Sequence, residues 1–119
     1  MAVAVMHRDG EPVNHITVGK WQVNYDRGFL AQLSVLRDQS LPNETGGAIV
    51  GIADMSRNAL HLAHAFREPE DSRSSPTRFE RGVVGLAESI DDVAQRSMHQ
   101  VRYLGEWHSH PRYANALRS

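Results

Sequence analysis

The sequence predicts an α/β domain in which two helices pack on a mixed β-sheet. Two stretches with apolar residues at helical spacing alternate with apolar runs of strand length, in the order strand, helix, strand, strand, helix, strand. The chain has 119 residues, which is room for one hydrophobic core rather than two. We therefore expect residues 1–119 to form a single domain.

The N-terminal third predicts strands followed by a helix. Residues 8–14 contain Gly10 and Pro12 and indicate a loop that follows a short apolar strand. From Arg27 to Gln39 apolar residues recur at helical spacing, and Pro42 cannot continue that helix. The apolar residues between the loop and the helix indicate a strand or one arm of a hairpin: Ile16, Val18, Trp21 and Val23.

The remainder of the chain supplies the other elements. Residues 46–53 are a continuous apolar run that predicts a buried strand, and residues 59–66 predict its hairpin partner. The polar residues 67–77 predict a long surface loop, residues 81–98 a second helix, and residues 101–108 a last strand. The apolar face of the second helix comprises Val83, Leu86, Ala87, Ile90, Val93, Ala94 and Met98.

Composition excludes several classes of function. Thirteen basic and fourteen acidic residues give a net charge of −1, so no basic surface for nucleic acid or anionic membrane is expected. No run approaches the roughly 20 apolar residues of a spanning helix, and the N-terminus lacks the pattern of a signal peptide. The absence of cysteine excludes disulfides, thiolate zinc sites, cysteine proteases and iron–sulfur clusters. We expect a cytoplasmic protein.

The segment Gly105-Glu-Trp-His-Ser-His-Pro111 holds the clearest candidate for chemistry. His108 and His110 are two apart on a predicted strand, so both side chains project from one face about 6.6 Å apart along the chain. Pro111 favours the extended conformation at His110, and Ser109 faces the other way. Two neutral imidazoles suit zinc, although a pair of strand-end histidines without metal remains the alternative.

Three further residues accompany this pair. Glu44 precedes the buried strand that begins with Gly46-Gly47, where a carboxylate is placed to act as a general base or is simply a solvated loop residue. The paired glycines allow another backbone to approach closely. Glu106 shares the face of His108 and either orients an imidazole or is a plain strand-end carboxylate. Trp107 lies on the opposite face and is expected in the core.

Together these motifs resemble the JAB/MPN metalloprotease family, whose site is the JAMM motif. Glu44-Thr-Gly-Gly is followed 64 positions later by His108-Ser-His-Pro, matching the order of the family's glutamate and His-x-His-Pro. The resemblance is to the prokaryotic JAB branch and covers roughly residues 29 to 119. Similar residues stand at Asp71-Ser72, Ser75-Pro76-Thr77, Phe79, Arg81-Gly82 and Gly105-Glu106-Trp107.

The resemblance implies a fold and a chemistry. The implied fold is the cytidine-deaminase-like JAB/MPN fold, a mixed sheet flanked by two helices. The implied activity is that of a zinc-dependent, deubiquitinase-like isopeptidase. His108 and His110 would bind Zn²⁺, and Glu44 would activate the zinc-bound water as general acid/base. Ser119 would match the serine that stabilises the oxyanion, with Arg118 as the alternative position when the spacer is shorter.

The sequence departs from the family pattern at the third zinc ligand. That aspartate would fall at position 121 or 122, beyond the last residue, Ser119. We therefore expect a JAB/MPN-like domain that lacks its C-terminal part, and poor activity from the chain as it stands. Two imidazoles alone should hold zinc weakly.

Three functional interpretations follow. In the first, the chain is an isopeptidase that hydrolyses the C-terminal linkage of a ubiquitin-like protein, in a pathway with ubiquitin-activating-like partners. In the second, it is an impaired MPN-type binding scaffold, or a fragment without activity. In the third, it is a metallohydrolase that acts on a small conjugate, such as the tail of a sulfur-carrier protein. The resemblance implies that the segment 67–77 borders the groove for an extended substrate tail, and the alternative is a solvated connector.

Overall fold

The computed structural model describes residues 13–110, which contain a five-stranded mixed sheet, a two-stranded sheet and two helices. The large sheet has the strand order β1-β2-β4-β3-β7, and the small one pairs β5 with β6. In chain order the elements are β1 (Val13–Val18), β2 (Trp21–Asp26), α1 (Arg27–Ser40), β3 (Gly46–Asp54), β4 (Ala59–Ala65), β5 (Arg73–Ser74), β6 (Phe79–Glu80), α2 (Leu86–Arg96) and β7 (Arg102–His108). The expected mixed sheet with two helices is confirmed.

Two tight turns connect neighbouring antiparallel strands of the large sheet. β1 and β2 form a hairpin whose turn contains Gly19 with φ of 60°, a conformation that glycine adopts without steric cost. β3 and β4 form the expected hairpin through residues 55–58. β2 and β4 are parallel, so the chain passes through α1 and β3 before it returns beside β2. The predicted apolar strand before residue 8 lies outside the described residues.

The first helix begins and ends where its sequence directs. The carboxylate of Asp26 accepts the N–H of Phe29 at 2.8 Å and so caps α1. Leu41 leaves the helix in an extended conformation immediately before Pro42. The helix predicted over residues 27–39 is thus confirmed and is one residue longer.

The core lies between α1 and one face of the large sheet. Phe29 of the helix packs with Ala65 of β4 and Trp107 of β7, all of them buried. Leu33 and Leu36 pack against this cluster from the same helix. The expectation that Trp107 is a core residue is confirmed, and α1 therefore covers the sheet face opposite the one that carries His108.

The second helix is shorter than the sequence predicts. α2 begins at Leu86 instead of residue 81, after Gly85 with φ of 77°. The Asp71 carboxylate accepts the N–H groups of Val83 and Val84, which holds the preceding segment in a turn. Val83 and Met98 are 67% and 84% exposed, so their assignment to an apolar helical face was wrong.

The loop predicted over residues 67–77 contains local structure. Arg73–Ser74 pairs with Phe79–Glu80 as a short antiparallel ladder next to the start of β3. The exposed character expected of this segment holds for most of its residues. Neither α1 nor α2 is long and apolar enough to cross a membrane, and no other helix occurs in residues 13–110.

Candidate active site

Glu44 lies in the short connection between α1 and β3 and is 7% exposed. Its backbone N–H donates to the carbonyl oxygen of Ser75 at 2.8 Å, which ties this connection to the β5–β6 hairpin. The backbone of Glu44 is therefore held by the hairpin, and its side chain is largely shielded from solvent. A partly enclosed carboxylate held this way is suited to transfer a proton repeatedly from one position.

The pairing of β3 with β7 brings Glu44 to His108. Gly46 stands opposite His108 in the antiparallel register, so Glu44 lies just beyond that pair at the end of the sheet. Nε2 of His108 and Oε1 of Glu44 are 2.9 Å apart. The His108 side chain is 44% exposed and the Glu44 side chain 9%, which leaves the imidazole accessible while the carboxylate is shielded. These two predicted site residues thus meet across 64 positions of sequence.

His110 joins them from the end of β7. Its ring centroid lies 4.6 Å from that of His108, with the ring planes at 45°. Phe79 of β6 lies 5.8 Å from the His108 ring centroid and forms an apolar wall beside it. The structure therefore brings Glu44, His108 and His110 together, whereas Ser119 and its alternative Arg118 lie outside the described residues.

Paired glycines allow β7 and the residue after β4 to approach β3 closely at this point. A Cβ atom on Gly46 would lie 2.4 Å from the Trp107 carbonyl oxygen, and one on Gly47 would lie 2.2 Å from the Phe66 carbonyl oxygen. Both distances are shorter than any real contact, so only glycine fits without a backbone shift. The prediction that these glycines permit a close backbone approach is confirmed.

Ser109 contributes a contact that the sequence did not reveal. Its N–H donates to the Thr45 carbonyl at 2.8 Å, and its Oγ accepts the Thr45 N–H at 2.9 Å. The Thr45 hydroxyl in turn donates to Glu68 at 2.5 Å. Ser109 thereby fixes the backbone between the two histidines to the residue after Glu44. The signal in the sequence was a small hydroxyl residue between the histidines, but nothing pointed to its partner.

Glu106, on β7, forms contacts that neither of its two expected roles included. Its carboxylate binds the Arg81 Nε at 2.7 Å and accepts the Tyr103 hydroxyl at 2.6 Å. The hydrogen bond to this carboxylate raises the pKa of Tyr103 above its usual 10.0. Within residues 13–110, Glu106 therefore links β7 to the end of β6 and does not orient His108.

The donor set fits part of a zinc site. His108 and His110 supply two imidazoles, a ligand type that zinc prefers, with Glu44 hydrogen-bonded to one of them. No group of three or more His, Cys, Asp or Glu side chains in residues 13–110 is arranged to hold a metal ion. A catalytic zinc normally takes three protein ligands. The described residues thus offer two of the three ligands that a catalytic zinc normally takes, with one carboxylate beside them.

Sequence comparisons relate this chain to known proteins. Residues 27–116 match the family described as prokaryotic homologs of the JAB domain. The chain is 35% identical over 69 residues to a CD-NTase/cGAS isopeptidase of Enterobacter hormaechei subsp. hoffmannii (strain UCI 50), a match covering 58% of this chain and 37% of the relative. A CD-NTase/cGAS isopeptidase of Escherichia coli (strain TW11681) is 33% identical over 70 residues, covering 57% and 42%. The chain spans about two fifths of the length of these curated relatives.

Proposed function

Because the chain belongs to the family of prokaryotic homologs of the JAB domain, we propose that it is a zinc-dependent isopeptidase. The proposed substrate is the linkage between the C-terminal tail of a ubiquitin-like protein and an amine. Support comes from the relatives named CD-NTase/cGAS isopeptidase, which share about a third of the aligned residues. The observation that carries the proposal is the 2.9 Å contact between Glu44 and His108, with His110 beside it.

His108 and His110 are the residues that would hold the metal, with a third ligand from outside residues 13–110. We place that ligand in the aspartate position of the family motif and Ser119 at the oxyanion position, as the resemblance implies. Zinc bound there supplies Lewis-acid polarisation of the scissile carbonyl and lowers the pKa of the attacking water.

In this proposal Glu44 moves the proton. Its carboxylate accepts a proton from the attacking water and then delivers it to the departing amine nitrogen, so the carboxylate is regenerated in each cycle. The contact with His108 supports this assignment because the carboxylate and the ligand imidazole face the same space. The fixed backbone at Glu44 and Thr45 keeps the carboxylate in position throughout the reaction.

The β5–β6 hairpin supports a site for an extended substrate tail. Ser75 is bonded directly to the Glu44 backbone, so a chain lying along the hairpin passes beside the carboxylate. Phe79 provides an apolar surface next to His108. We propose that residues 67–77 border the groove that receives the tail, and that the tail's carbonyl reaches His108 and Glu44 from this side.

The decisive experiment measures zinc and turnover separately on the full-length gene product that contains residues 1–119. We expect stoichiometric zinc by elemental analysis and cleavage of a ubiquitin-like fusion. Glu44→Gln should retain zinc and lose about 10²–10⁴-fold in kcat, the usual contribution of a general acid/base. His108→Ala/His110→Ala should lose both zinc and turnover. Glu88→Gln, an exposed carboxylate on α2, is the matched control.

A second candidate function is a metal-free binding scaffold. It is favoured by one observation, namely that residues 13–110 bring together only two histidines and no third ligand. Equilibrium dialysis distinguishes the two functions, because a scaffold leaves zinc below one equivalent while it still binds its protein partner.

Cleavage by the Glu44→Gln variant at the wild-type rate would exclude the assigned proton transfer.

A further inference from the structure

A pocket of about 310 Å³ lies on the β5–β6 hairpin, apart from the histidine pair. The residues that line it are Arg73, Ser74, Ser75, Arg78 and Glu80. Two guanidinium groups and one carboxylate give these side chains a net charge of +1, since arginine stays protonated at any ordinary pH. We call it the arginine pocket.

The two arginines of the pocket are not engaged by the rest of the described chain. Within residues 13–110, neither guanidinium has a hydrogen bond or an ion pair, and Glu80 stands opposite Arg73 in the ladder without bonding to it. Other arginines differ, since Arg57 binds Asp54 and Arg81 binds Glu106. The arginine pocket therefore presents hydrogen-bond donors whose charge is not neutralised inside the fold.

Backbone and hydroxyl contacts fix the arginine pocket relative to the candidate active site. The Ser75 N–H donates to the Arg78 carbonyl at 2.9 Å, and the Ser75 hydroxyl oxygen accepts the Arg78 N–H at 3.1 Å. The carbonyl of the same Ser75 accepts the Glu44 N–H at 2.8 Å. One residue thus lines the pocket and holds the backbone of the candidate acid/base, so Ser75 links the two sites directly.

We propose that the arginine pocket binds the carboxylate of an Asp or Glu side chain in the substrate tail, a few residues from the scissile bond. The guanidinium group presents a planar fork of donors that matches a carboxylate, and such charge-assisted bonds are stronger than neutral ones. A lysine at that position of the tail would meet two like charges. This inference rests on the proposed function for the location of the scissile bond, and it specifies an acidic substrate tail.

The test measures binding without turnover, using fluorescein-labelled decapeptides on the full chain. The peptides share a Gly/Ser sequence that ends in Gly-Gly and carry two Glu, two Gln or two Lys residues near the C-terminus. We expect the Glu peptide to bind about tenfold more tightly than the Lys peptide at low salt, the size of one charge-assisted bond. High salt should reduce this preference, because exposed charges are screened.

Variants that reverse the charge of the two pocket arginines provide the more specific part of the test. Arg73→Glu/Arg78→Glu should reverse the order, so that the Lys peptide binds best, and Arg73→Gln/Arg78→Gln should abolish the preference. Arg27→Glu/Arg102→Glu changes the net charge equally at two exposed arginines outside the pocket, and should keep the wild-type order. Equal affinity for all three peptides, or an order that survives charge reversal in the pocket, would overturn the proposal.

The outcome is separable from that of the proposed function. Cleavage of a fusion without any charge preference in peptide binding would leave the isopeptidase standing and remove the acidic subsite. A charge preference that reverses with the pocket, in a protein that cleaves nothing, would keep the subsite and remove the isopeptidase. Circular dichroism on each variant establishes that the compared proteins are folded.

Discussion

At the scale of single residues, Ser109 lies outside the candidate catalytic set but holds the backbone beside it. It is 8% exposed and exchanges two hydrogen bonds with Thr45, one of them through its side chain. An N–H that loses its partner inside a protein carries the full cost of its desolvation. The hydroxyl thus stabilises the strand end on which both histidines depend.

Ser109→Ala should lower the free energy of unfolding by about 1–3 kcal/mol, because it leaves the buried Thr45 N–H without its acceptor. Chemical denaturation followed by tryptophan fluorescence measures this change. Ser56→Ala is the matched control, since that hydroxyl bonds Asp54 on the surface and its loss should cost less than about 0.5 kcal/mol. Equal effects of the two substitutions would contradict the role assigned to Ser109.

The phenol of Tyr103 reports on the charge of Glu106. Its folded pKa is raised, chiefly because its hydroxyl donates to that carboxylate. The protonated phenol therefore stabilises the folded state, and this contribution is lost as the pH rises above 10 through the folded pKa. Glu106→Gln should lower the pKa of Tyr103 towards 10.0, as measured by tyrosinate absorbance with Tyr103→Phe to assign the signal. An unchanged titration would rule out the coupling.

At the scale of elements, the β3–β7 pair builds the site, and the glycines on these strands differ in how closely other groups approach them. Gly47 and Gly105 lie on these two strands but have opposite surroundings. A Cβ atom at Gly47 meets the Phe66 carbonyl, whereas one at Gly105 meets nothing within 4 Å. The same substitution on neighbouring strands should therefore have opposite effects.

Gly47→Ala should destabilise the fold by about 1–3 kcal/mol or more, since β3 and the backbone at Phe66, just after β4, must separate to accommodate the methyl group. Gly105→Ala should be neutral or stabilise by about 0.5–1 kcal/mol, because it restricts the unfolded chain without a clash. Thermal unfolding of both variants measures the contrast. A destabilised Gly105→Ala together with a neutral Gly47→Ala would show that the strands are packed differently.

The elements also show what local sequence determines. α1 was predictable because its cap, apolar spacing and terminating proline all lie within or next to it. The start of α2 was not, because Asp71 binds the N–H groups of Val83 and Val84 from twelve and thirteen residues away. Helical spacing of apolar residues continues through Val83, but the tertiary hydrogen bonds determine its conformation.

The candidate site likewise has residues that the sequence predicts and contacts that it does not. Glu44, His108 and His110 were identified from motif spacing and family resemblance, and the structure brings them together. The bonds of Ser109 to Thr45 and of Glu106 to Arg81 join residues far apart in sequence. No periodicity or motif encodes such partners, so they became visible only with the fold.

At the scale of the whole molecule, stability should be distributed unevenly across the large sheet. Among the strands of residues 13–110, β3 lies between β4 and β7 and contains the fully buried Val50, whereas β1 lies at the edge and pairs only with β2. Residues 14–20 are all exposed. The edge hairpin thus has the few buried contacts that are typical of regions that open locally.

Native-state hydrogen exchange should show this gradient. We expect the amides of β1 that bond to β2 to exchange through local opening, and those of β3 only near the free energy of global unfolding. Mass spectrometry of peptides from the two strands measures both sets in one sample. Equal protection of β1 and β3 would mean that the hairpin is integrated into the cooperative unit.

The length of β3 has a practical consequence. The strand begins two residues after Glu44, and its nine residues extend about 30 Å to the turn at residues 55–58, where the Arg57 side chain is 82% exposed. The chain contains no cysteine, so a single thiol introduced by Arg57→Cys would be the sole target for a maleimide dye. A fluorophore attached there would follow tumbling and complex formation from the far end of the sheet, without obstructing the reaction space.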